Sequence, residues 1–347
     1  MFTPITTQRL VIRAFTPDDV DDLHARRDDP EVARYQNWVT PYPRSEAEQM
    51  VHDVAAMDGP TDEEWWMAVV ADRETGEAYG DLVVHLTDRA RIAEIGYSFG
   101  SAHWGHGYAV ESLDAFVTYL FEDLGVTRVF GTLHPDNSAS AMVMERCGFV
   151  FEGHTRSSFW LDDEVSDDWI YGTTRDLWDE WRNRSAVAPE EVALVEITPE
   201  TADTVLGLVT HKSQERFVSP MGGSFADAMF PEVYNGAPVV PWMRAITADD
   251  EIVGFVMVAE STDHHPEPYL WRLLIDRLHQ RRGIGDRALR LVEEAFMARG
   301  DSAMTVSWSD GKGSPRPFYE RNGYVPTGEI EDGEVVARKQ LRATGGA

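Results

Sequence analysis

Cysteine is almost absent from this sequence, with Cys147 the only one among 347 residues. A single cysteine excludes an intrachain disulfide framework and favours a reducing compartment. No apolar run approaches the roughly 20 residues that a membrane-spanning helix needs, and no cationic lead with an apolar block marks a secretory signal near the start. We therefore expect a cytoplasmic protein without a membrane partner.

Basic residues are also scarce, since 31 Lys and Arg face 60 Asp and Glu for a formal net charge of −29. This balance argues against nucleic acid as a partner and favours cationic ligands such as amines, although a soluble or salt-adapted surface also accounts for it, and charge alone names no substrate. The histidines form no pattern of metal ligands, so no metal is expected. The sequence lacks a Walker lysine and a G-x-S-x-G elbow, which excludes P-loop and α/β-hydrolase chemistry.

What the sequence does contain is an internal repeat, which is best sought before motifs are interpreted. Gly283 follows Gly107 by 176 positions, each of them in a glycine loop, and Gly323 follows Gly148 by 175 positions at the end of a later helical segment. Landmarks in the same order at nearly one offset predict two copies of one domain. We place the copies at residues 1–184 and 193–342, joined by a linker at 185–192.

Each copy is predicted to be a mixed α/β unit, with strands from period-two alternation and helices from apolar residues at helical spacing. Thr16-Pro17 and Thr198-Pro199 are each predicted to begin a helix, with threonine as N-cap and proline at the first helical position. The predicted strands are 10–15, 65–71, 78–86, 93–100, 126–133, 168–173, 193–197, 243–247, 252–260, 269–276 and 302–308. The main predicted helices are 18–27, a helix from 108 onwards, 138–146, 286–299 and 315–321.

The most informative element is a strand that leads through a glycine loop into an amphipathic helix. Such a loop lets several backbone N–H groups converge on an anion at the positive end of the helix, so a pyrophosphate is the natural ligand. The second copy adds arginines around its loop, whereas the first offers only histidines: Arg281, Arg282, Arg287 and Arg290 against His103 and His106.

Two other interpretations of the loop stay open at this point. The first is a glycine turn that only tightens the corner between the strand and the helix. Gly283, Gly285 and Ala288 also fit the G-x-G-x-x-A form of a nicotinamide-dependent enzyme, with Asp310 as the ribose-binding acid, but a polar stretch separates the strand from the first glycine.

The loops and the elements after them resemble the GNAT superfamily of acetyl-CoA-dependent N-acetyltransferases. Gln280-Arg281-Arg282-Gly283-Ile284-Gly285 matches the pyrophosphate loop Q/R-x-x-G-x-G/A of that superfamily, and residues 317–324 resemble its late FYxxxGF/Y element. The second copy is most similar to bacterial diamine/spermidine N-acetyltransferases. The first is similar to the ribosomal-protein N-terminal acetyltransferase group, on residues 93–97, Trp104-Gly105-His106-Gly107-Tyr108-Ala109, Asn137, Ser140, Gly148 and Phe149.

The resemblance implies two tandem domains of α/β (α+β) class, each with a mainly antiparallel sheet and a splayed strand pair that holds acetyl-CoA. It implies that the two loops bind the cosubstrate together with Asn137 and Ser140, which could equally cap a helix. A backbone N–H near Leu274 or Ile275, or near Ser98 or Phe99 in the first copy, would hold the acetyl oxygen.

The resemblance also implies catalytic residues. Tyr319 would protonate the leaving thiol, and the first copy has Met144 in its place. Glu94 would serve as base or else be an ordinary strand carboxylate, and Asp276 and Glu260 are the weaker base candidates of the second copy. Because the second copy retains the loop and the tyrosine, it is the expected catalyst.

The expected activity is transfer of acetyl from acetyl-CoA to a small cationic amine: a polyamine, a diamine or an amine-bearing antibiotic. The alternatives are acetylation of a protein N-terminus by the first copy, and a non-catalytic protein that binds acyl-CoA or amines. The sequence leaves open whether the protein is a monomer or a homodimer.

Overall fold

The computed structural model describes residues 2–161 and 163–341. The chain divides into two compact units, Met1–Asn183 and Arg184–Ala347, which we call the N-terminal and C-terminal units. Each unit is a mixed α/β structure, which confirms the predicted fold class. Among the described residues, no helix is long and apolar enough to cross a membrane.

The N-terminal unit is built on an eight-stranded sheet with the strand order β1-β2-β3-β4-β5-β6-β8-β7. Neighbouring strands are antiparallel except β5 and β6, which are parallel. The strands are β1 (Ile5–Thr6), β2 (Leu10–Ala14), β3 (Trp65–Asp72), β4 (Ala78–Thr87), β5 (Ile92–Phe99), β6 (Arg128–Leu133), β7 (Val150–Leu161) and β8 (Glu164–Thr174).

Helices cover both faces of this sheet: α1 (Val20–Arg27), α2 (Pro30–Ala33), α3 (Arg44–Ala55), α4 (Tyr108–Glu122), α5 (Ser138–Arg146) and α6 (Arg175–Asn183). Alternate residues of β3 enter two separate apolar clusters, Trp66 with α4 and Met67 with α1 and α3. A strand that is buried on both faces has a nearly continuous run of apolar residues in its sequence, and β3 has such a run from Trp65 to Ala71. We call the face under α1 and α3 the acceptor face.

The parallel pair β5 and β6 stays together for three residues and then parts. Ile92, Ala93 and Glu94 pair with β6, and the rest of β5 pairs only with β4. Gly100 N–H donates to the Tyr79 carbonyl, and backbone groups alternate sides along an antiparallel ladder. The N–H groups of Tyr97 and Phe99 therefore face the gap between the two strands.

The C-terminal unit repeats this plan with a seven-stranded sheet in the order β16-β17-β15-β14-β13-β12-β9, plus a small ribbon of β10 and β11. Here β14 and β15 are the parallel pair, joined at Tyr269 and Thr305. Its elements are β9 (Val192–Val195), α7 (Ala202–Leu206), α8 (Met221–Met229), β10 (Val233–Tyr234), β11 (Ala237–Pro238), β12 (Pro241–Ala248), β13 (Glu251–Ala259), β14 (Tyr269–Ile275), α9 (Ile284–Ala298), β15 (Ala303–Trp308), α10 (Arg316–Arg321), β16 (Val325–Glu331) and β17 (Glu334–Gln340).

The two predicted threonine–proline helix starts have different outcomes. Pro17 begins a short 3-10 turn with Thr16 at its N-cap, and α1 follows directly, as expected. The start at Thr198 is wrong, because α7 begins at Ala202 with Thr201 at its N-cap. Thr198 N–H instead donates to the Thr201 hydroxyl, which holds the intervening residues in a turn.

Candidate active site

Both glycine loops lead into long helices whose first turns have no side-chain cap. Gly107 precedes α4 with φ 80°, and Gly283 precedes α9 with φ 75°. Both glycines adopt the left-handed conformation, which other residues enter only at a cost. The first N–H groups of each helix therefore point outward at the positive helix end, an arrangement suited to an anionic ligand.

The first residue of each loop carries out the same task with a different side chain. Trp104 donates from Nε1 to the Phe99 carbonyl at 2.8 Å, and Gln280 donates from Nε2 to the Ile275 carbonyl at 3.0 Å. Each bond ties the loop to the last residue of the strand that parts from its neighbour. The tryptophan that departs from the usual Gln/Arg in the first copy thus keeps the donor.

The positive charge at the loops differs from what the sequence indicated. Arg9 lies at the first loop, donating to the His106 carbonyl at 3.0 Å and stacking 4.6 Å over the Tyr108 ring, while its Nε pairs with Glu111 at 2.7 Å. Sequence reasoning missed this arginine because it is separated from His106 by 97 residues. Only the position of β2 beside α4 brings it there.

In the C-terminal unit, Arg282 and Arg287 near the loop bind backbone carbonyl groups of the chain itself. Arg282 is buried and donates to the Val187 carbonyl at 2.8 Å. Arg287 donates to the Pro189 and Glu190 carbonyls at 2.6 and 2.9 Å. These guanidinium groups hold residues 187–190 against the second loop.

A cavity of about 1040 Å³ opens on the acceptor face of the N-terminal unit. Its walls come from the end of α1, the segment between α2 and α3, α3 itself, the first residues of β3, the middle of β4, the parts of β5 and β6 near the splay, the end of β7 and the start of β8. A volume of this order is typical of small-molecule sites. Aromatic rings and carboxylates line it together: Tyr35, Trp38, Tyr42, Trp65, Tyr97, Phe159, Glu46, Asp53, Asp81, Glu94, Glu164 and Asp168.

Glu94 lies in the cavity wall and is the last residue of β5 that pairs with β6. Its cross-strand neighbour on β4 is His85, which stacks on the Trp65 ring at 4.7 Å. Burial raises the pKa of the Glu94 carboxyl above its usual value, and the nearby His85 partly opposes that shift. A half-buried carboxylate with a raised pKa, where two strands part, is suited to accept a proton.

A buried ionic cluster supports the strand beside this cavity. Arg26 and Asp81 form an ion pair at 2.5 Å with side-chain exposures of 5% and 4%, and Ser98 donates to the same Asp81 oxygen at 3.0 Å. The Ser98 backbone faces β4, and in the C-terminal unit the Leu274 backbone faces β13 in the same way. Phe99 and Ile275 are thus the two predicted strand residues whose N–H groups face the gaps.

The corresponding face of the C-terminal sheet, which packs against α7 and α8, is chemically different. Its parallel pair joins Tyr269 to the third residue of β15, just as Glu94 joins the third residue of β6. A tyrosine therefore takes the position of the carboxylate, with its hydroxyl 2.7 Å from that of Ser307. Phe255 and Leu274, both in an apolar cluster with α7 and α8, stand where Asp81 and Ser98 stand in the other unit.

The base candidates of the C-terminal unit are engaged elsewhere. Asp276 accepts from the N–H groups of Leu278 and Val209, both at 3.0 Å, and Glu260 accepts from Arg299 at 2.7 Å. Sequence reasoning missed Glu334, which accepts from Ser307 and Ser309 and thereby lies at the end of a hydroxyl chain from Tyr269.

The remaining predicted residues have identifiable positions. Tyr319 is buried on α10 and stacks on Trp308 with ring centroids 5.9 Å apart, and burial raises its pKa. Asn137 accepts from Ser140 N–H at 3.1 Å as the N-cap of α5, and the Ser140 hydroxyl lies 2.7 Å from that of Tyr97. Cys147 is buried at the end of α5.

Comparison with known proteins gives the same family for both halves of the chain. Residues 9–150 match the acetyltransferase (GNAT) domain, and residues 205–324 match the acetyltransferase (GNAT) family. The chain is 30% identical over 176 residues to the uncharacterized N-acetyltransferase YoaA of Bacillus subtilis (strain 168), covering 50% of this chain and 98% of that protein. It is 32% identical over 155 residues to the uncharacterized N-acetyltransferase p20 of Bacillus licheniformis, covering 43% and 84%.

Among solved structures, the GNAT-family acetyltransferase from Bacillus anthracis aligns with 24% identity and a TM-score of 0.46, covering 50% of this chain and 99% of that one. The family matches together with the curated relatives exclude the nicotinamide-dependent alternative. The chain belongs to the GNAT family of acetyl-CoA-dependent N-acetyltransferases and carries two of its domains in tandem.

Proposed function

We propose that acetyl transfer takes place in the cavity of the N-terminal unit, onto an amine whose proton Glu94 accepts. The observation that carries this proposal is the position of Glu94, in the cavity wall at the point where β5 and β6 part. The sequence favoured the C-terminal unit for its intact loop and Tyr319. The acceptor face favours the N-terminal unit, because the C-terminal unit has Tyr269 in the carboxylate position.

The cavity supports binding of an amine in its protonated form. Glu46 and Asp53 from α3 and Glu164 and Asp168 from β8 give the wall a negative potential that attracts an ammonium group. The same carboxylates raise the pKa of that ammonium and resist its deprotonation. Glu94, whose pKa burial raises above its usual value, is the group that accepts the ammonium proton and leaves the nitrogen neutral for attack.

The N-terminal unit also has the features that acetyl-CoA needs. Bound acetyl-CoA supplies the acetyl group and a thiol leaving group. The uncapped N–H groups at the start of α4 and the nearby Arg9 suit its pyrophosphate, and the Phe99 N–H faces the gap where the thioester oxygen needs a donor. Asn137 and Ser140 stand at the start of α5 as further contacts.

Transfer in the C-terminal unit is the second candidate. Its loop is complete, and Tyr319 lies within electrostatic range of Tyr269 and Glu334. The polyamine and diamine acceptors that the resemblance implied belong to this candidate, and a protein N-terminus remains an alternative acceptor for the N-terminal unit. Release of CoA thiol over a panel of amines and N-terminal peptides tests all of them in one assay.

Substitution of the two N-cap glycines tests which unit turns over. Gly107→Glu and Gly283→Glu each place a bulky anion at a residue with positive φ, where the pyrophosphate would bind. We expect the loss of kcat/KM from Gly107→Glu to exceed the loss from Gly283→Glu at least about tenfold, or 1.4 kcal/mol. Calorimetric stoichiometry for acetyl-CoA checks that each change removes one site. A larger loss from Gly283→Glu would transfer the proposal to the C-terminal unit.

The Trp104 donor gives a prediction about affinity. Trp104→Phe removes the hydrogen bond to the Phe99 carbonyl while it keeps an aromatic ring, so we expect the Kd for acetyl-CoA to rise about fivefold, equivalent to about 1 kcal/mol. Trp104→Gln introduces the donor that Gln280 provides in the other unit and should recover part of the loss. Equal affinity in Trp104→Phe and the parent protein would show that the bond does not organise the loop.

A further inference from the structure

Arg27 is a buried cation in the wall of the cavity of the N-terminal unit, and it has no ionic partner among the described residues. It is the last residue of α1 and is only 8% exposed. Its Nε is buried without a hydrogen-bond partner, and its side chain forms no ion pair with any residue of the described ranges. The neighbouring Arg26, by contrast, is neutralised by Asp81 at 2.5 Å.

Aromatic rings hold the Arg27 guanidinium in place without satisfying its donors. Its Cζ lies 4.2 Å from the Trp38 ring and 5.3 Å from the Tyr42 ring. Trp38 is fixed in turn, since its Nε1 donates to the Arg27 carbonyl at 2.9 Å. Stacking recovers part of the cost of burying a cation, but a guanidinium has five N–H donors that rings do not replace.

We infer that Arg27 binds an anionic group of the acceptor, so that the acceptor is an amine that also carries a carboxylate or a phosphate. Burial of a charge is costly unless the charge is paired and hydrogen-bonded, and the planar fork of arginine matches both anions. The inference rests on the proposed function, because it places the amine at Glu94 and the anion at Arg27 within one cavity.

Two further observations support an acceptor of this kind. A second arginine, Arg34, also lines the cavity, is exposed, and lies over the Tyr35 ring at 5.2 Å. The volume of about 1040 Å³ exceeds what a simple diamine fills, which leaves room for an amine and an anion at separate walls. A wall of carboxylates alone would suit a polyamine. The buried Arg27 in the same wall disfavours binding of a polyamine, because its charge repels a second ammonium group.

Matched acceptor pairs test the inference with the full-length protein. Butylamine is compared with 4-aminobutyrate, and ethanolamine with O-phosphoethanolamine, while putrescine represents the purely cationic class. We expect the parent protein to turn over one anion-bearing amine with a kcat/KM at least about tenfold above that of its partner without the anion, a difference of about 1.4 kcal/mol. The carboxylate and phosphate arms show which anion is recognised.

Variants at Arg27 assign that preference to this side chain. Arg27→Gln should bring the ratio of kcat/KM for the anion-bearing amine to kcat/KM for its partner close to one. Arg27→Lys should retain part of the preference, since the charge remains and the planar fork is lost. Arg44→Gln is the matched control, because it removes the same charge from an exposed position on α3 outside the cavity, and its ratio should equal that of the parent. Circular dichroism and thermal unfolding verify that each variant is folded.

The outcomes separate the two claims. The inference is overturned if the parent protein prefers putrescine or the amines without an anionic group. It is also overturned if Arg27→Gln leaves the ratio unchanged. Either result leaves the proposed function intact. If Arg27→Gln does not fold, the parent ratio and Arg27→Lys decide. Turnover of none of these amines overturns the inference. Turnover that depends on Gly283 in place of Gly107 overturns the proposed function and the inference with it.

Discussion

Glu94→Gln is expected to lower kcat by about 10²- to 10⁴-fold, because general-base catalysis contributes this much and an amide accepts no proton at neutral pH. The change preserves size and leaves the β5–β6 pairing untouched, so the Kd for acetyl-CoA should stay the same. Stopped or continuous measurement of thiol release gives kcat, and calorimetry gives the affinity. A decrease of less than about twofold would exclude Glu94 as the base.

The pH dependence supplies an independent measurement of the same role. Burial raises the pKa of Glu94, so its carboxyl stays protonated to a higher pH than an ordinary glutamate. Activity should therefore fall as the pH decreases through that raised pKa, and this acidic limb should be missing in Glu94→Gln. Glu74→Gln is a suitable control, because it removes a carboxylate from the exposed turn between β3 and β4. Its rate and its pH profile should match those of the parent.

Asp81→Ala is expected to destabilise the N-terminal unit by about 3–5 kcal/mol, the usual cost of removing one partner from a buried ion pair. The substitution removes the carboxylate that pairs with Arg26, which is 6% exposed, and removes the acceptor of the Ser98 hydroxyl. Native-state hydrogen exchange of the amides in β4 and β5 reports the unfolding free energy of this unit without interference from the other.

Two variants define what the Asp81 result means. Asp81→Asn keeps the shape and an acceptor oxygen for Ser98 but removes the charge, so most of the loss should persist if the ion pair is responsible. Asp179→Ala breaks an exposed ion pair with Arg175 on α6 and should cost less than about 1 kcal/mol. Similar losses from Asp81→Ala and Asp179→Ala would mean that the buried pair adds little beyond a surface pair.

Much of the fold was predictable because its signals are local. Glycine at positive φ, apolar residues at helical spacing and alternating strands can each be recognised within a dozen residues, and they predicted β2 to β6, α4, α5 and α9 to within a few residues. The predicted start of α7 was wrong because two threonines three residues apart, Thr198 and Thr201, both suit the N-cap position, and Thr201 occupies it. The helix α3, which forms one wall of the cavity, has apolar residues at 47, 51 and 54 among exposed polar ones, and the sequence interpretation passed over it.

The candidate site was only partly predictable. Glu94, Trp104 and the glycine loops came from motifs. Arg9, Arg27 and the Arg26–Asp81 pair have no motif, since each acts on residues that are distant in sequence: 97 positions separate Arg9 from His106, and 55 separate Arg26 from Asp81. The arginines near the second loop show the opposite error, because a count of nearby charges cannot reveal that Arg282 and Arg287 bind backbone carbonyls.

The order of elements, the duplication and the two loops were determined by the sequence alone, because each depends on backbone conformations and periodicities that neighbouring residues impose. The tertiary structure decided which copy presents a carboxylate where its strands part, and which buried arginine lacks an ionic partner within the described part of the chain. Sheet register and helix packing bring those side chains together across long stretches of chain, and burial then sets the energetic cost of every charge that lacks a partner.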